Sequence, residues 1–160
     1  MPGIKMVQYS EGDVVLREGE TNENLFKIIN GHAEVYVGYG TENEALIRII
    51  GEQSCFGELG MLLHKPSIYT VVAYSNLFVM QIPEDSFEEF VKTNHGAVLN
   101  LLRNTTETML TFKVHIDLLL TEIEKGHKPD EKTLNNVKKL TRACGMYKSI
   151  DEAMRALKPQ

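Results

Sequence analysis

A series of glycines divides residues 8 to 82 into short apolar runs, and this feature most constrains the fold. In HAEVYV, apolar and polar residues alternate with the period of two that is expected of a half-buried strand. Short strands separated in this way predict a sandwich, barrel or roll, with NLFVMQI at residues 76–82 as its last strand. The glycines lie at positions 12, 19, 31, 38, 40, 51 and 57, between runs such as DVVLRE, NLFKII, EALIRII and IYTVVA.

The period becomes helical after residue 82. The segment PEDSFEEFVKTN opens with Pro83 and acidic residues, which are favoured in the first turn of a helix. It places Phe87, Phe90 and Val91 on one helical face. It therefore predicts a short helix that ends near Asn94.

A much longer helix is predicted over residues 97–125, where eight positions follow steps of four and three, the heptad pattern of a helix seam. Such a helix is roughly 40 Å long, which is more than a small roll of strands covers. We expect it to pair with its copy in a parallel two-fold homodimer. The alternative is a lid that folds back onto its own roll beneath the tail. The eight positions are Val98, Leu102, Thr105, Met109, Phe112, Ile116, Leu119 and Ile123.

Charge separates the C-terminal tail from the rest of the chain. Residues 1–125 contain nine Lys or Arg and eighteen Asp or Glu, whereas residues 126–160 contain eight and four. GHKP ends the long helix, and Ser149 and Glu152 have capping-box spacing, which predicts a helical pair in the tail. The predicted organisation is a roll with a short helix over residues 1–94, a long helix over residues 95–125 and a basic helical tail over residues 126–160.

Composition places the chain among ordinary soluble globular proteins, since 42% of the residues are hydrophobic and 24% are charged. No apolar run approaches the roughly 18 residues that span a bilayer, and the N-terminal stretch has no hydrophobic signal core. We therefore expect a cytoplasmic protein without a membrane partner. Cys55 and Cys144 lack metal-type spacing and are expected to be reduced thiols.

The sequence favours a binding module over an enzyme. It contains no nucleophile elbow, dinucleotide fingerprint or metal-ligand cluster, and its five histidines are scattered. DNA binding ranks below protein docking, because the acidic body repels phosphates and the 35 residues after Lys125 contain no strand pair for a wing and no convincing recognition helix. We therefore predict no catalytic residue, no metal and no nucleic-acid partner.

The segment GELGMLLHKPSIYTVVA indicates a site for a phosphorylated ligand. Gly57 allows the backbone to approach a ligand closely, and a short helix beginning after FGEL would direct free N–H groups at an anion. A carboxylate accepts hydrogen bonds from hydroxyl groups, so the expected partner of Glu58 is a sugar hydroxyl.

These segments together resemble the cyclic nucleotide-binding domain family, which includes the effector domain of the catabolite activator and the regulatory subunits of cyclic-nucleotide-dependent kinases. The resemblance covers residues 8 to about 125 and follows the ordered glycines through YSEGDVVLREGE, LFKIINGHAEVYV, LIRIIGEQSCFGELGMLLHKPSIYTVVA and LFVMQIPEDSFEEFV. It implies an α+β fold, in which a β-roll of jelly-roll type, built from short antiparallel strands, precedes a short and a long helix. It also implies a phosphate-binding cassette at residues 56–70.

The same resemblance implies roles for the residues that begin the cassette. Within the FGEL motif, Phe56 to Leu59, it assigns Glu58 to the ribose 2′-hydroxyl and the amides around Gly57 and Leu59 to the ring. An Arg nine residues after the Glu would pair with the cyclic phosphate, but that position here is Ser67. A serine cannot replace a bidentate guanidinium, and losing such a contact weakens binding roughly tenfold to a hundredfold.

Other residues could bind the phosphate or cover the base of a ligand. Ile68 and Tyr69 make this end of the pocket bulkier than is usual in the family. His64 and Lys65 could supply charge from the same loop, although a solvated loop position is the simpler interpretation of both. The lid over the base is predicted at Phe112 and Lys113, with Thr108 and Thr111 one turn before, although Phe112 also fits the helix seam.

The sequence thus predicts a non-catalytic regulatory or sensor domain with weakened or altered ligand binding. The candidate ligand is a cyclic nucleotide such as cAMP or cGMP, or a related anionic small molecule, and no obligatory cofactor is indicated. The alternative is a ligand-independent dimeric scaffold or a protein-docking module. A DNA-binding regulator ranks last. The protein partner is not specified by the sequence.

Overall fold

The computed structural model describes residues 3–42 and 44–128 together with residues 131, 134, 135 and 137, and it describes only the backbone of Thr108, Thr111, Phe112 and His115. Up to residue 128, the described residues form eight strands and three α-helices, with one 3₁₀ turn at Glu84–Ser86. The strands are β1 (Lys5–Tyr9), β2 (Val14–Leu16), β3 (Asn24–Asn30), β4 (Ala33–Val37), β5 (Ala45–Ile50), β6 (Cys55–Phe56), β7 (Thr70–Ala73) and β8 (Leu77–Pro83). The helices are α1 (Glu58–Leu63), α2 (Phe87–Thr93) and α3 (His95–Glu124).

The strands form two antiparallel four-stranded sheets. The first sheet has the order β1-β8-β3-β6 and the second sheet has the order β2-β7-β4-β5. Apolar side chains from both sheets are fully buried, including Leu25 and Val79 of the first sheet and Val71 of the second. The predicted α+β β-roll, followed by a short and a long helix, is confirmed.

Two predicted helix starts differ from the structure. The helix α1 begins at Glu58, inside the FGEL motif, whereas we expected it to begin after the motif. Pro83 does not open the short helix, because it is extended and pairs with Asn24 at the end of the β3–β8 ladder, where proline's missing N–H is tolerated. The helix α2 ends at Thr93, with Asn94 as its C-cap, as predicted.

The helix α2 and the beginning of α3 pack on the first sheet. Phe90 of α2 and Ala97 of α3 are buried in a cluster with Leu25, and Val98 packs against that cluster. Lys27 of β3 is also buried, and its ammonium group donates a hydrogen bond to the Asn94 side-chain oxygen at 3.1 Å. The junction between α2 and α3 is therefore attached to the roll by apolar contacts and by one polar contact.

The chain divides into two compact units, residues 1–104 and 105–160, and α3 contributes residues to both. The boundaries predicted from the sequence, after residues 94 and 125, remain predictions. The predicted helical pair of the tail lies almost entirely outside the described residues. None of the described helices combines the length and apolar character that crossing a bilayer requires.

Candidate functional site

The candidate site is built on Gly57, where the chain passes from β6 into α1. Gly57 has a φ of +85°, which side chains rarely tolerate. A Cβ atom there would lie 2.7 Å from the Asn24 carbonyl oxygen and 3.0 Å from the Phe26 ring. The Asn22 amide holds the turn from the other side by donating a hydrogen bond to the Gly57 carbonyl oxygen at 3.2 Å. The backbone can take this path only with glycine at position 57.

The Tyr69 hydroxyl group occupies the polar centre of the site. It donates a hydrogen bond to the Glu58 carboxylate at 3.1 Å and accepts one from the Gly57 backbone N–H at 3.0 Å. Burial raises the pKa of the Tyr69 hydroxyl, and the negative charge of Glu58 raises it further. The phenol therefore stays neutral at physiological pH and keeps the proton that it shares with Glu58.

Ser67, at the position where the family resemblance implies an arginine, is buried and bonded within the chain. Its hydroxyl donates to the Tyr69 carbonyl oxygen at 2.7 Å. Its backbone N–H donates to the Glu20 carbonyl oxygen at 2.9 Å, and its carbonyl oxygen accepts from the Gly19 N–H at 2.7 Å. Ser67 thus fixes the backbone that carries Tyr69 and presents no positive charge to a ligand.

The other predicted cassette residues have different surroundings. Phe56 is buried and stacks on Phe26, with the ring centroids 5.0 Å apart, so it packs in the core. Leu59 and Ile68 are half-buried. Lys65 is exposed, and the His64 side chain is 64% exposed and lies 3.8 Å from a carboxylate oxygen of Glu84. The structure therefore brings Glu58, Ser67 and the Gly57 backbone together around Tyr69.

The predicted lid and seam residues lie on α3. The Phe112 side chain is outside the described residues, and the exposed Lys113 forms an ion pair with Asp117 one turn further along the helix. Val98 packs on the core of the roll. Among the remaining seam positions with described side chains, Ile116 and Leu119 are half-buried, and the exposed ones are Leu102, Thr105, Met109 and Ile123.

Sequence reasoning treated Tyr69 only as bulk. Tyr69 lies in a bend just before β7, where strand alternation does not predict the direction of a side chain. Within the described part of the chain, no three His, Cys, Asp or Glu side chains are grouped to hold a metal.

The fold and the site define a β-roll domain in which a short helix follows a glycine turn at the end of β6. The family model for the cyclic nucleotide-binding domain matches residues 6–94. This chain belongs to that family.

The chain is similar in sequence to cAMP-dependent protein kinase regulatory subunits. The subunit of Blastocladiella emersonii is 29% identical over 104 residues, which are 65% of this chain and 25% of that protein. The subunit of Candida albicans is 30% identical over 102 residues, which are 62% of this chain and 20% of that protein. The match thus spans no more than a quarter of the length of these relatives.

Solved structures agree with the fold. The regulatory subunit of a cAMP-independent protein kinase A from Trypanosoma brucei matches with a TM-score of 0.54 at 25% identity, over 66% of this chain and 37% of that one. A mutant of that subunit is bound to cAMP in the A site and matches with a TM-score of 0.53 at 25% identity, over 65% of this chain and 37% of that one. The catabolite activator protein of Thermus thermophilus matches with a TM-score of 0.62 over 96% of this chain and 78% of that one, but at 14% identity this likeness concerns the fold alone.

Proposed function

We propose that this chain is a non-catalytic regulatory or sensor domain whose nucleotide site is filled by its own Tyr69, so that it binds cAMP and cGMP weakly. One observation carries the proposal. The Tyr69 hydroxyl engages both the Glu58 carboxylate and the Gly57 N–H, the two groups that the family resemblance assigns to the ligand. A nucleotide that contacts both groups in the way the family resemblance implies must therefore compete with two internal hydrogen bonds of Tyr69.

The missing arginine weakens binding further. A charge-assisted hydrogen bond to phosphate contributes about 1.5–3 kcal/mol, and the buried Ser67 supplies none of it. The comparison with the trypanosomal subunit supports this proposal, because that protein belongs to a cAMP-independent kinase and its cAMP-bound form is a mutant. Both considerations point to a family member that has altered its ligand preference.

Isothermal titration with cAMP and cGMP tests the proposal directly. We expect the unmodified protein to bind both ligands more weakly than micromolar. Ser67→Arg alone should strengthen binding only slightly, because Tyr69 still holds Glu58. Ser67→Arg combined with Tyr69→Phe should bind at least about tenfold more tightly than Ser67→Arg, since Glu58 and the Gly57 amide are released.

Tyr36→Phe, added to Ser67→Arg, is the matched control for the loss of a tyrosine hydroxyl. Tyr36 also donates to a carboxylate, that of Glu34 at 2.8 Å, but neither residue belongs to the cassette. The Tyr36→Phe change should leave the affinities for cAMP and cGMP unchanged. Submicromolar binding of either nucleotide by the unmodified protein would refute the proposal.

A ligand-independent dimeric scaffold is the second candidate function. It is favoured by the exposed apolar side chains on α3, where Leu102 is 58% exposed, Met109 67% and Ile123 47%. These three residues belong to the heptad row, and a second copy of the helix is the partner that a heptad row fits. In this alternative, the β-roll would serve as a rigid body that carries the helix, and a protein would be the partner in place of a nucleotide.

A further inference from the structure

The outer face of β4, which is the face turned away from the core, carries an aromatic and an acidic side chain. Val35 and Val37 of this strand are only 3% and 4% exposed, because they face the core. Successive side chains of a strand alternate between its two faces, so Glu34 and Tyr36 lie on the outer face. Their contact agrees with this placement, since the Tyr36 hydroxyl donates a hydrogen bond to the Glu34 carboxylate at 2.8 Å.

Two apolar side chains of β5 extend this outer face. Leu46 pairs with Tyr36, and Ile49 pairs with Glu34. Directly paired residues of antiparallel strands project to the same face. Leu46 is 42% exposed and Ile49 is 52% exposed. Arg48 is the one basic residue of the two strands, and it pairs with an inward-facing valine of β4, so it belongs to the other face. The outer face therefore combines exposed apolar groups with negative charge.

The loop after β4 adds a second aromatic ring and two more carboxylates. The Tyr39 ring lies beside the Tyr36 ring, with the ring centroids 5.1 Å apart and the ring planes inclined at 50°. The two glycines that flank Tyr39 donate their backbone N–H groups to the carboxylates of Glu18 and Glu44, both at 2.7 Å. These hydrogen bonds fix the two carboxylates next to the ring pair.

The surroundings of Tyr36 favour positive charge. The hydrogen bond to Glu34 raises the pKa of the Tyr36 phenol most, and burial and the charges of Glu34 and Glu44 raise it further, to about 12. The phenol is therefore neutral at physiological pH. A cation over the face of a tyrosine ring is attracted by the electrons of that ring, and the neighbouring carboxylates attract the same cation. An anionic partner would be repelled here.

We propose that the outer face of β4 and β5, with the ring pair of Tyr36 and Tyr39, is a docking surface for a partner protein that presents an arginine among apolar residues. A guanidinium group stacks on a tyrosine ring and also pairs with carboxylates. Apolar neighbours of that arginine would cover Leu46 and Ile49, and an exposed apolar patch with a polar rim is typical of a protein-interaction site.

Charge complementarity selects this partner over a second copy of the chain. A two-fold contact would place the same face of each copy against the other. The carboxylates of Glu34 and Glu44 would then meet their own counterparts, and like charges that face each other across an interface are unfavourable. The inference goes beyond the proposed function, because this surface does not include the residues of the nucleotide site.

The test is an NMR titration of the whole chain with a capped pentapeptide that has leucine and valine around a central arginine. Shifts of the Tyr39 and Leu46 amides are followed. In the matched peptide, citrulline replaces arginine, which keeps the shape and removes the charge. We expect the citrulline peptide to bind about tenfold more weakly. A peptide with lysine at the centre should also bind more weakly, because an ammonium group does not stack as a planar guanidinium does.

Variants of the protein test the two components of the surface separately. Tyr39→Leu removes one ring, and Glu34→Gln removes one charge but keeps an acceptor for the Tyr36 hydroxyl. Each should weaken binding of the arginine peptide roughly twofold to fivefold. Tyr74→Leu is the control for the ring, since Tyr74 is an exposed tyrosine beyond β7. Glu52→Gln is the control for the charge, since the Glu52 carboxylate also accepts a side-chain hydrogen bond. Both controls should bind the peptide as the unmodified protein does.

Four results would overturn the inference. The arginine peptide could cause no shift of these amides, or it could bind no more tightly than the citrulline or the lysine peptide. A control variant could lose as much affinity as its matched variant, which would show a general effect of the surface. Shifts of the same amides when the protein alone is diluted would show that a second copy occupies this face. Spectra of the free variants that match the unmodified protein away from the substituted residue establish that each variant is folded.

Discussion

Tyr69 and Glu58 are eleven residues apart and share a hydrogen bond at the centre of the site. Sequence reasoning named Glu58, Gly57 and Ser67 as site residues through the family resemblance, and the structure brings the three together around Tyr69. It could not assign the Tyr69 hydroxyl, since a bend gives no periodicity from which a side-chain direction follows. At the scale of single residues, the motif and its spacing indicated which residues to expect in the site, but not the hydrogen bonds that they make with one another.

A double-mutant cycle measures the coupling between these two residues. Tyr69→Phe removes a buried hydroxyl and leaves the Gly57 N–H without its acceptor, so we expect it to lower the free energy of unfolding by about 1–3 kcal/mol. Glu58→Gln combined with Tyr69→Phe should be less destabilising than the sum of the single changes, by about 1 kcal/mol. Urea unfolding gives the values.

The pair formed by Tyr36 and Glu34 is the control for that cycle. It contains the same two chemical groups at 2.8 Å, but on a half-exposed surface. Its coupling should be smaller, because solvent screens exposed interactions. Strictly additive effects of Tyr69→Phe and Glu58→Gln would mean that the buried hydrogen bond does not contribute to stability.

The reactivity of the Cys55 thiol reports on the burial and the charges around this residue. Burial raises the pKa of its thiol to about 11 from the ordinary value of 9.0, Lys27 opposes the shift, and Glu58 adds to it. A raised pKa means that the thiol stays protonated to higher pH, so the reactive thiolate fraction near pH 8 falls about a hundredfold. In a Cys144→Ser background, alkylation by iodoacetamide should be at least that much slower in the folded protein than in urea. Equal rates would contradict this assignment.

The sequence predicted most of the strands and the two main helices in the right order, but it indicated neither β1 and β6 nor the irregularities of the strands. Glycine spacing and alternation depend on local sequence and therefore indicate strands, whereas the bulge at Ile47 depends on how β5 pairs with β4. The start of α1 at Glu58 likewise depends on the tertiary contacts of Gly57. The start of α1 is also the point that places the Glu58 carboxylate within hydrogen-bond distance of the Tyr69 hydroxyl.

The turn before α1 gives a prediction with a matched control. Gly57 and Gly12 have almost equal φ angles, +85° and +86°, but a Cβ atom would meet neighbours only at Gly57. Gly12→Ala should cost about 1 kcal/mol for its left-handed backbone. Gly57→Ala should cost at least about 1–3 kcal/mol more, because the neighbouring backbone must shift. Thermal unfolding compares the stabilities of the two variants. Equal losses of stability would show that the neighbours of Gly57 can shift without an energetic cost.

For the molecule as a whole, the sequence predicted the roll and the long helix but not how the apolar surface of that helix is used. Exposed apolar side chains lie on the heptad row, as at Met109, and also away from it, as at Val114 and Leu118. Periodicity identifies a face, but it does not specify what covers that face. The homodimer therefore stays a prediction.

Light scattering across a range of concentrations tests the dimer. The unmodified protein should be a dimer, and Ile116→Glu with Leu119→Glu should convert it to a folded monomer, because facing carboxylates would be buried and would repel each other. Val114→Glu with Leu118→Glu adds the same charge away from the row and should leave the dimer intact. A monomeric unmodified protein at high micromolar concentration would exclude this interface.

The contact between Lys27 and Asn94 bears on how fast parts of the first unit can move. The Lys27 side chain is buried, and the Asn94 side chain gives its ammonium group a hydrogen-bond acceptor. Separating the α2–α3 junction from β3 would break this hydrogen bond and expose the apolar cluster around Phe90 and Ala97 to water, which is unfavourable. We therefore expect the first turn of α3 to move together with the β-roll as one rigid body.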